Sequence, residues 1–400
     1  MRVPLLDLVS QYKQIQDQLE PLLLQVLRSG NYIMGEQVKS FEESSARYLS
    51  AKHCISCANG SDALYVSLLA LDIGPGDEVI TTPFTYIASS EAIDQAGAKP
   101  VFADIDLNTF NIDPKKLKEK INSKTKAIIV VHLFGQCAAM DEILGIAKEF
   151  NIKVIEDTAQ AFGAVYYGGN FDAIKAGTMG DIGTFSFYPT KNLSCAGDGG
   201  LICTNSDELA KRLRRIKAHG SERRYYHTEL GVNSRLDEVQ AAVLNIKLAF
   251  IDEWNAKRAT NADIYYEELR DLERLACIKL PQRAAYSSHI FHQFSILVSP
   301  SAENSSELRN NLKDFLAKHE IGSEIYYPVA LHMQEVYQHF NFKDKDFPEA
   351  FKASQSVLSI PVHPDLSREQ VLFVCETIKD FFRNLKGDAI LRNSLESHVA

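Results

Sequence analysis

Residues 185–193 read FSFYPTKNL and lead into a glycine-rich turn, AGDGG, at residues 196–200. Upstream, residues 153–161 read KVIEDTAQA, an apolar strand pattern that ends at Asp157. The order predicts a strand that presents Asp157 and a small, hydroxyl-rich loop that presents Lys191. A lysine amine can form a Schiff base with an aldehyde, and a carboxylate can keep a pyridine nitrogen protonated. The pair is what pyridoxal 5'-phosphate (PLP) requires of a protein.

A third segment, residues 58–64 (ANGSDAL), follows an apolar stretch at 53–57 and precedes an apolar-periodic run from Ala63 to Leu71. This pattern predicts a strand, a tight turn and a helix start whose backbone N–H groups face an anion. Taken singly, each of the three features is ordinary. A lysine near glycines is usually solvated, an aspartate after a strand usually caps a helix, and the turn could be a simple N-cap. All three in this order favour a PLP site with a phosphate cradle.

With these residues in view, the chain resembles the nucleotide-sugar aminotransferases of the DegT/DnrJ/StrS type, which have the aspartate-aminotransferase fold. The similar blocks occur in the family's order over nearly the whole chain: residues 4–8, 29–35, 74–80, the segments quoted above, 231–237, 326–328 with His332, and 358–361. The resemblance implies a fold type I PLP enzyme, α/β in class. It would have a mostly parallel central sheet flanked by helices and a smaller α+β C-terminal domain.

The hydrophobic pattern independently indicates α/β architecture. Apolar β-branched runs at residues 78–80, 100–102, 127–131 and 153–155 alternate with helical or loop-like stretches, as expected of a mostly parallel sheet covered by helices. A helical pattern from about Asn245 to Leu269 then leads into a smaller region, with a strand at 292–298 and a helix at 306–319. We therefore predict three parts: a large PLP-binding domain with an N-terminal helix segment (1–248), a small C-terminal domain (249–386) and a polar tail that we expect to be mobile (387–400).

Composition restricts the partners. The 400 residues carry a formal charge of -9, which gives no electrostatic argument for nucleic acid. We expect the one dense basic patch (Arg212, Arg214, Arg215 and Lys217) to be a solvated helix face.

The N-terminus shows no secretory pattern, and no apolar run is long enough for a bilayer, so we expect a cytoplasmic protein without a membrane partner. Cys54 and Cys57 formally spell C-x-x-C, but their apolar setting favours buried structural cysteines and no metal.

The resemblance assigns the remaining site residues by position. Gly60, Ser61 and Ser186 would bind the PLP phosphate, Gln160 would lie near the phenolic oxygen, and Phe84 or Tyr86 would stack on the ring while the other packs in the core. Asn233 would reach the phosphate of a neighbouring subunit, so we expect a homodimer with shared active sites. The expected substrate-binding residues are Tyr188, Arg235, Tyr327 and His332. For Arg235, contact with a sugar carboxylate and a structural salt bridge are equally open.

The family's chemistry then predicts the reaction. Lys191 favours a transaminase, because a histidine takes its place in the related PLP-dependent sugar dehydratases. The expected donor is L-glutamate and the expected acceptor is a UDP- or dTDP-linked keto hexose. Residues 231–242 resemble the version common in 3-aminotransferases, so we expect a 3-keto sugar, with C-4 amination as the alternative. The product would serve aminosugar biosynthesis, for lipopolysaccharide or another surface polysaccharide, or for a glycosylated metabolite. A dehydratase and a homologue without catalysis are the less favoured alternatives.

Overall fold

The structure is a computed structural model that describes residues 1–169 and 171–396, with the side chains of the last helix described as far as Leu385. The tail expected at residues 387–400 lies largely outside this description, which includes none of its side chains and nothing of residues 397–400.

The strands are, in chain order, β1 (His53–Cys57), β2 (Glu78–Thr81), β3 (Lys99–Phe102), β4 (Thr125–Val131), β5 (Lys153–Asp157), β6 (Val165–Gly168), β7 (Phe171–Lys175), β8 (Ile182–Ser186), β9 (Gly200–Thr204), β10 (Ser221–Arg223), β11 (Tyr226–His227), β12 (Ile278–Lys279), β13 (Phe294–Val298) and β14 (Val357–Ile360). The helices are α1 (Leu8–Ser29), α2 (Glu36–Leu49), α3 (Gly60–Ala70), α4 (Ala88–Gln95), α5 (Pro114–Lys120), α6 (Met140–Phe150), α7 (Asp207–Ile216), α8 (Glu238–Leu248), α9 (Ile251–Glu268), α10 (Arg270–Arg274), α11 (Ser305–Lys318), α12 (Pro348–Ser356) and α13 (Arg368–Glu396). Short 3-10 turns lie at Leu133–Gly135, Leu331–Met333, Glu335–Phe340 and Asp344–Asp346.

The central sheet has seven strands in the order β1-β9-β8-β5-β4-β2-β3. Strand β9 pairs antiparallel with both β1 and β8, whereas the pairs from β8 to β3 are parallel. Parallel sheets are covered on both faces, so their strands read as apolar runs; β4 (TKAIIVV) is buried at all but one position. The predicted mostly parallel sheet is confirmed. Its carboxyl edge carries Asp157 at the end of β5 and Ser186 at the end of β8.

The smaller sheet lies in the C-terminal part of the chain. Strands β12, β13 and β14 pair antiparallel, and a separate hydrophobic cluster unites them with residues of α9, α11 and α13. The division expected at 248/249 falls between α8 and α9; the exact boundary stays a prediction. A further apolar cluster joins the two regions, because Phe84 and Phe134 of the large sheet's edge belong to it together with Leu297 and Tyr337. Residues of the C-terminal region therefore cover the carboxyl edge of the large sheet.

The basic patch matches the expected solvated face only in part, because Arg214 is exposed whereas its neighbours are paired or buried. Arg212 pairs with Asp72 and Glu229, and Arg215 pairs with Glu222 and Glu229. Lys217 is 4% exposed and donates from Nζ to the carbonyl oxygen of Ser56 at 2.5 Å. The expectation was wrong for Lys217 because this residue follows α7 and turns its side chain back under β1, where burial lowers its pKa.

Two further observations concern partners. In the part of the chain that the structure describes, none of the helices combines the length and the apolar character needed to cross a membrane. Within residues 1–169 and 171–396, no group of three or more histidine, cysteine, aspartate or glutamate side chains is placed to hold a metal ion. Cys54 and Cys57 are both buried on β1, where burial raises the pKa of each thiol to about 12.

Candidate active site

Asp157 ends β5 at the carboxyl edge of the sheet, and its side chain is 6% exposed. Oδ2 accepts a hydrogen bond from Oγ of Ser89 at 2.7 Å, and Oδ1 accepts one from the backbone N–H of Ala159 at 3.2 Å. The backbone carbonyl of Asp157 in turn accepts from the N–H of His132. Each oxygen of the carboxylate therefore accepts one hydrogen bond within the protein and can accept another from a ligand.

Lys191 carries the amine that is expected to act together with this carboxylate. Its amine loses enough hydration within the protein to lower its pKa to about 8, although the charge of Asp157 acts in the other direction and raises it. Lys191 and Asp157, which are expected to act together, therefore interact electrostatically. An amine with this pKa is partly neutral near pH 7, as a nucleophile and proton acceptor must be.

The loop that carries Lys191 is fixed by its neighbours. The backbone N–H of Lys191 closes a turn onto the carbonyl of Tyr188 at 2.9 Å. Asn192 donates from Nδ2 to Oδ1 of Asn255 at 2.7 Å, and its Oδ1 lies 3.1 Å from Nδ1 of His292. These contacts tie the loop to α9 and to the segment before β13. The lysine is therefore positioned jointly by the large region and the C-terminal region.

The expected phosphate residues form a close junction between the start of α3 and the end of β8. A Cβ added to Gly60 would lie 2.6 Å from Cβ of Ser186 and 3.1 Å from its Oγ. Asn59 caps α3 by accepting from the N–H of Asp62 at 2.8 Å, and Ser61 lies in the first turn with its side chain partly exposed. A helix N-terminus beside a hydroxyl group is a suitable site for a phosphate.

Gln160 bridges the two regions above Asp157. Its Oε1 accepts from the backbone N–H of Phe134 at 2.9 Å, and its Nε2 donates to the hydroxyl of Tyr327 at 3.0 Å. Burial raises the pKa of the Tyr327 phenol, and the nearby charge of Asp157 acts in the same direction. The structure thus brings Tyr327, expected to bind substrate, next to two of the expected cofactor residues.

The two aromatic candidates differ sharply in exposure. Phe84 is 0% exposed and packs against Phe110, Phe134 and Tyr327, with ring centroids 5.9, 6.5 and 6.0 Å away. A side chain enclosed in this way has no face left for a cofactor ring, so Phe84 is a core residue. Tyr86 is 60% exposed, and its ring centroid lies 6.5 Å from that of Tyr327. Tyr86 therefore remains the candidate for ring stacking.

Unlike Tyr327, the other three expected substrate residues form no hydrogen bond with Gln160 or Asp157 in the described part of the chain. Tyr188 is 53% exposed beside Lys191. Arg235 is partly exposed near Lys217, and in the described residues no carboxylate lies within salt-bridge distance of its guanidinium. His332 is 2% exposed and packs on Phe347 at a centroid distance of 4.8 Å. Neither ring nitrogen of His332 has a hydrogen-bond partner among the described residues, and burial lowers its pKa. A substrate contact of His332 stays a prediction that this placement does not support.

Asn233 is exposed, and its backbone pairs with that of Ala218 in an isolated bridge. The adjacent β10–β11 hairpin presents Tyr225 and Tyr226, which are 78% and 62% exposed. In a single chain, Asn233 makes no hydrogen bond through its side chain to the described part of the site. Its expected contact with the phosphate of a neighbouring subunit stays a prediction.

Sequence reasoning did not identify Glu156, which is fully buried next to Asp157. Its carboxylate accepts from the N–H groups of Gly177, Met179 and Gly180 at 2.8, 2.7 and 2.6 Å. His132 accepts from the N–H of Ala138 through Nδ1, so its Nε2 carries the proton and donates to Glu156 at 2.9 Å. A charged residue inside the apolar pattern KVIED is a signal that could have indicated such a network, since buried charges require partners.

The chain also matches a known protein family over most of its length. The profile of the DegT/DnrJ/EryC1/StrS aminotransferase family matches residues 13–379. A protein of Geobacillus stearothermophilus named pleiotropic regulatory protein is 45% identical, with 96% of this chain and 100% of that protein aligned. A dTDP-3-amino-3,6-dideoxy-alpha-D-galactopyranose transaminase of Aneurinibacillus thermoaerophilus is 43% identical over 95% of this chain and 99% of its own. A UDP-2-acetamido-2-deoxy-3-oxo-D-glucuronate aminotransferase of Pseudomonas aeruginosa is 39% identical over 94% and 99%.

Solved structures share the fold. The crystal structure of DesV from S. venezuelae in complex with a ketimine intermediate superposes with a TM-score of 0.89 at 37% sequence identity, covering 95% of this chain and 98% of that one. This agreement extends over both the large sheet and the C-terminal region. The arrangement of Lys191, Asp157 and the Gly60–Ser186 junction therefore lies within a fold that is used for amino-group chemistry.

Proposed function

Because the chain belongs to the DegT/DnrJ/EryC1/StrS aminotransferase family, we propose that it is a PLP-dependent transaminase that moves the amino group of L-glutamate to a nucleotide-linked 3-keto hexose. The observation that carries the proposal is the pair formed by Lys191, with its pKa lowered to about 8, and the held carboxylate of Asp157. Because Gly60 has no side chain, the start of α3 lies directly against Ser186, and the backbone N–H groups of α3 and the Ser186 hydroxyl would donate to the cofactor's phosphate.

The residues present fit PLP, which when bound supplies an aldehyde carbon that takes up the amino group and a ring that withdraws electrons. Nζ of Lys191 would hold that aldehyde carbon and, when displaced by the donor, take up the proton from Cα of glutamate. Asp157 would keep the pyridine nitrogen protonated. Gln160 retains one N–H of its amide for the phenolic oxygen, because the other donates to Tyr327. Tyr86 would cover one face of the ring and exclude water from it.

Two features support amination at C-3. Residues 231–242 have the form expected of 3-aminotransferases, and the named transaminases from A. thermoaerophilus and P. aeruginosa act, by their names, on 3-amino or 3-oxo sugars. They differ in nucleotide, so UDP and dTDP both remain in the proposal, and C-4 amination remains the alternative. Arg235 is partly exposed and forms no salt bridge within the described residues, which leaves it available for a sugar carboxylate, such as that of a 3-keto glucuronate.

A screen of nucleotide sugars tests the proposal. The purified enzyme, PLP and L-glutamate are mixed with UDP- and dTDP-linked 3-keto and 4-keto hexoses, and mass spectrometry follows the aminosugar and 2-oxoglutarate. We expect both products in equal amounts from a 3-keto substrate. Loss of water from the sugar without 2-oxoglutarate would indicate a dehydratase, and an unchanged mixture in every case would indicate a homologue without catalysis.

We also propose that the enzyme acts as a homodimer in which Asn233 completes the phosphate site of its partner. The exposed Asn233 and the exposed aromatic hairpin beside it support this, and a two-fold interface makes such a contact reciprocal. Lys191→Ala and Asn233→Asp chains, each inactive as a homodimer, should regain one intact site when mixed. Confirmed heterodimers with no activity above either parent would show that Asn233 serves its own chain or only the fold. Cytoplasmic location and a role in surface polysaccharide or metabolite glycosylation remain parts of the proposal.

A further inference from the structure

Ser89 contacts the carboxylate that would face the cofactor ring. Its Oγ donates to Oδ2 of Asp157 at 2.7 Å, and the two side chains are 1% and 6% exposed. We propose that Ser89 is a positioning residue that fixes the orientation of Asp157 and holds the shared proton on the cofactor's pyridine nitrogen. The inference rests on the proposed PLP chemistry and goes beyond it, because it concerns a residue that would not touch the cofactor.

The fold brings the two residues together from separate segments. Ser89 lies in the first turn of α4, which follows β2, whereas Asp157 ends β5, and β4 lies between these two strands in the sheet. The hydroxyl therefore reaches over the end of β4. Because the bond is buried, water cannot substitute for the hydroxyl if it is removed.

The physical effect follows from which form of the carboxyl group the hydroxyl stabilises. A donated hydrogen bond favours the ionised form of an acid over its neutral form. When one proton is shared between a carboxylate and a pyridine nitrogen, stabilising the carboxylate leaves the proton on nitrogen. The N–H of Ala159 supports the other oxygen at 3.2 Å, so loss of Ser89 would leave a single, longer hydrogen bond and let the carboxylate turn.

Ser90 provides a matched control. It is the next residue on the same helix, it is 0% exposed, and its Oγ donates to the backbone carbonyl of Ile87 at 3.1 Å rather than to Asp157. Replacing either serine with alanine removes one buried hydroxyl from α4. A difference between the two variants therefore reports on the contact with Asp157.

The test uses the full chain loaded with PLP that is labelled with ¹⁵N in its ring, together with Ser89→Ala, Ser89→Thr and Ser90→Ala. Nitrogen NMR at one fixed pH distinguishes protonated from neutral pyridine, and titration gives the PLP dissociation constant. We expect wild type, Ser89→Thr and Ser90→Ala to keep the protonated signal. In Ser89→Ala we expect a shift toward neutral pyridine and binding weakened by about tenfold, the order of one hydrogen bond to a charged group.

The outcomes separate the two proposals. A wild-type protein that does not hold PLP on Lys191 would refute the proposed function. A normal wild-type signal with Ser89→Ala indistinguishable from Ser90→Ala would overturn the role of Ser89 alone. If Ser89→Ala does not fold, Ser89→Cys decides, because its thiol fills the same space but donates weakly; a fully protonated signal in that variant would also overturn the inference.

Discussion

A methyl group added at Gly60 tests the phosphate cradle directly. The new Cβ would lie 2.6 Å from Cβ, 3.1 Å from Oγ and 3.2 Å from Cα of Ser186. Cβ and Cα of Ser186 are not the far end of a flexible side chain, so alanine must separate the start of α3 from the end of β8. We therefore expect Gly60→Ala to weaken PLP binding.

The size of the effect follows from these distances. Non-bonded carbons rest about 3.5–4.0 Å apart, so a separation of 2.6 Å requires a movement of about 1 Å. A shift of this size is enough to break the hydrogen bond that Oγ of Ser186 would donate to the phosphate. A hydrogen bond to a charged group contributes about 1.5–3 kcal/mol, which corresponds to a rise in the dissociation constant of about 10- to 150-fold.

The assay is a PLP titration of the cofactor-free protein, followed by visible absorbance. Gly145→Ala is the control, because Gly145 lies within α6 and an added Cβ there has no neighbour within 4 Å. Ser186→Gly removes two of the three nearest atoms, so adding Gly60→Ala to it should cost much less than adding Gly60→Ala to wild type. Wild-type affinity in Gly60→Ala, or full additivity in the double variant, would refute a phosphate site at this junction.

Three further predictions concern the amine and the acid. Borohydride should fix the cofactor on Lys191, and Lys191→Ala should abolish turnover; label on Lys247, whose pKa burial also lowers to about 8, would contradict the assignment. In stopped-flow mixing, cofactor-free protein should capture PLP faster as pH rises through about 8, because only the neutral amine of Lys191 reacts. Asp157→Asn should lower the pH midpoint of this rate, since the carboxylate raises the pKa of Lys191. A midpoint near the pKa of a free lysine would be inconsistent with burial of the amine. Steady-state rates of Asp157→Asn should fall by about 100- to 1000-fold, the equivalent of two to three pKa units of lost coupling at about 1.4 kcal/mol each, and near wild-type turnover would exclude the pyridinium role.

The sequence predicted the parts of the site that belong to regular elements with local signals. Asp157 was predicted from its place at the end of an apolar run, whereas Ser186 was assigned only through the family resemblance. In the structure the two residues end parallel neighbours, β5 and β8, which brings them to one edge. Exposure was harder to predict: Phe84 and Tyr86 follow the same strand, yet one is enclosed by three rings and the other faces solvent. That difference depends on Phe110, Phe134 and Tyr327, which come from distant segments. Ser89 was missed for the same reason, because a serine in the first turn of a helix is ordinary until its tertiary partner is known.

The adjacent acids at the end of β5 show why the network behind the site matters as much as its reactive groups. Successive side chains of a strand point to opposite faces, so Glu156 and Asp157 cannot serve the same ligand. Glu156 receives three backbone N–H groups of residues 177–180 and the ring of His132, which fixes the turn that precedes β8. Because β8 ends at Ser186, the hydrogen bonds of Glu156 also fix the position of Ser186 relative to the carboxylate of Asp157. Glu156 thus fixes the backbone around the site, and the carboxylate of Asp157 is available to the cofactor.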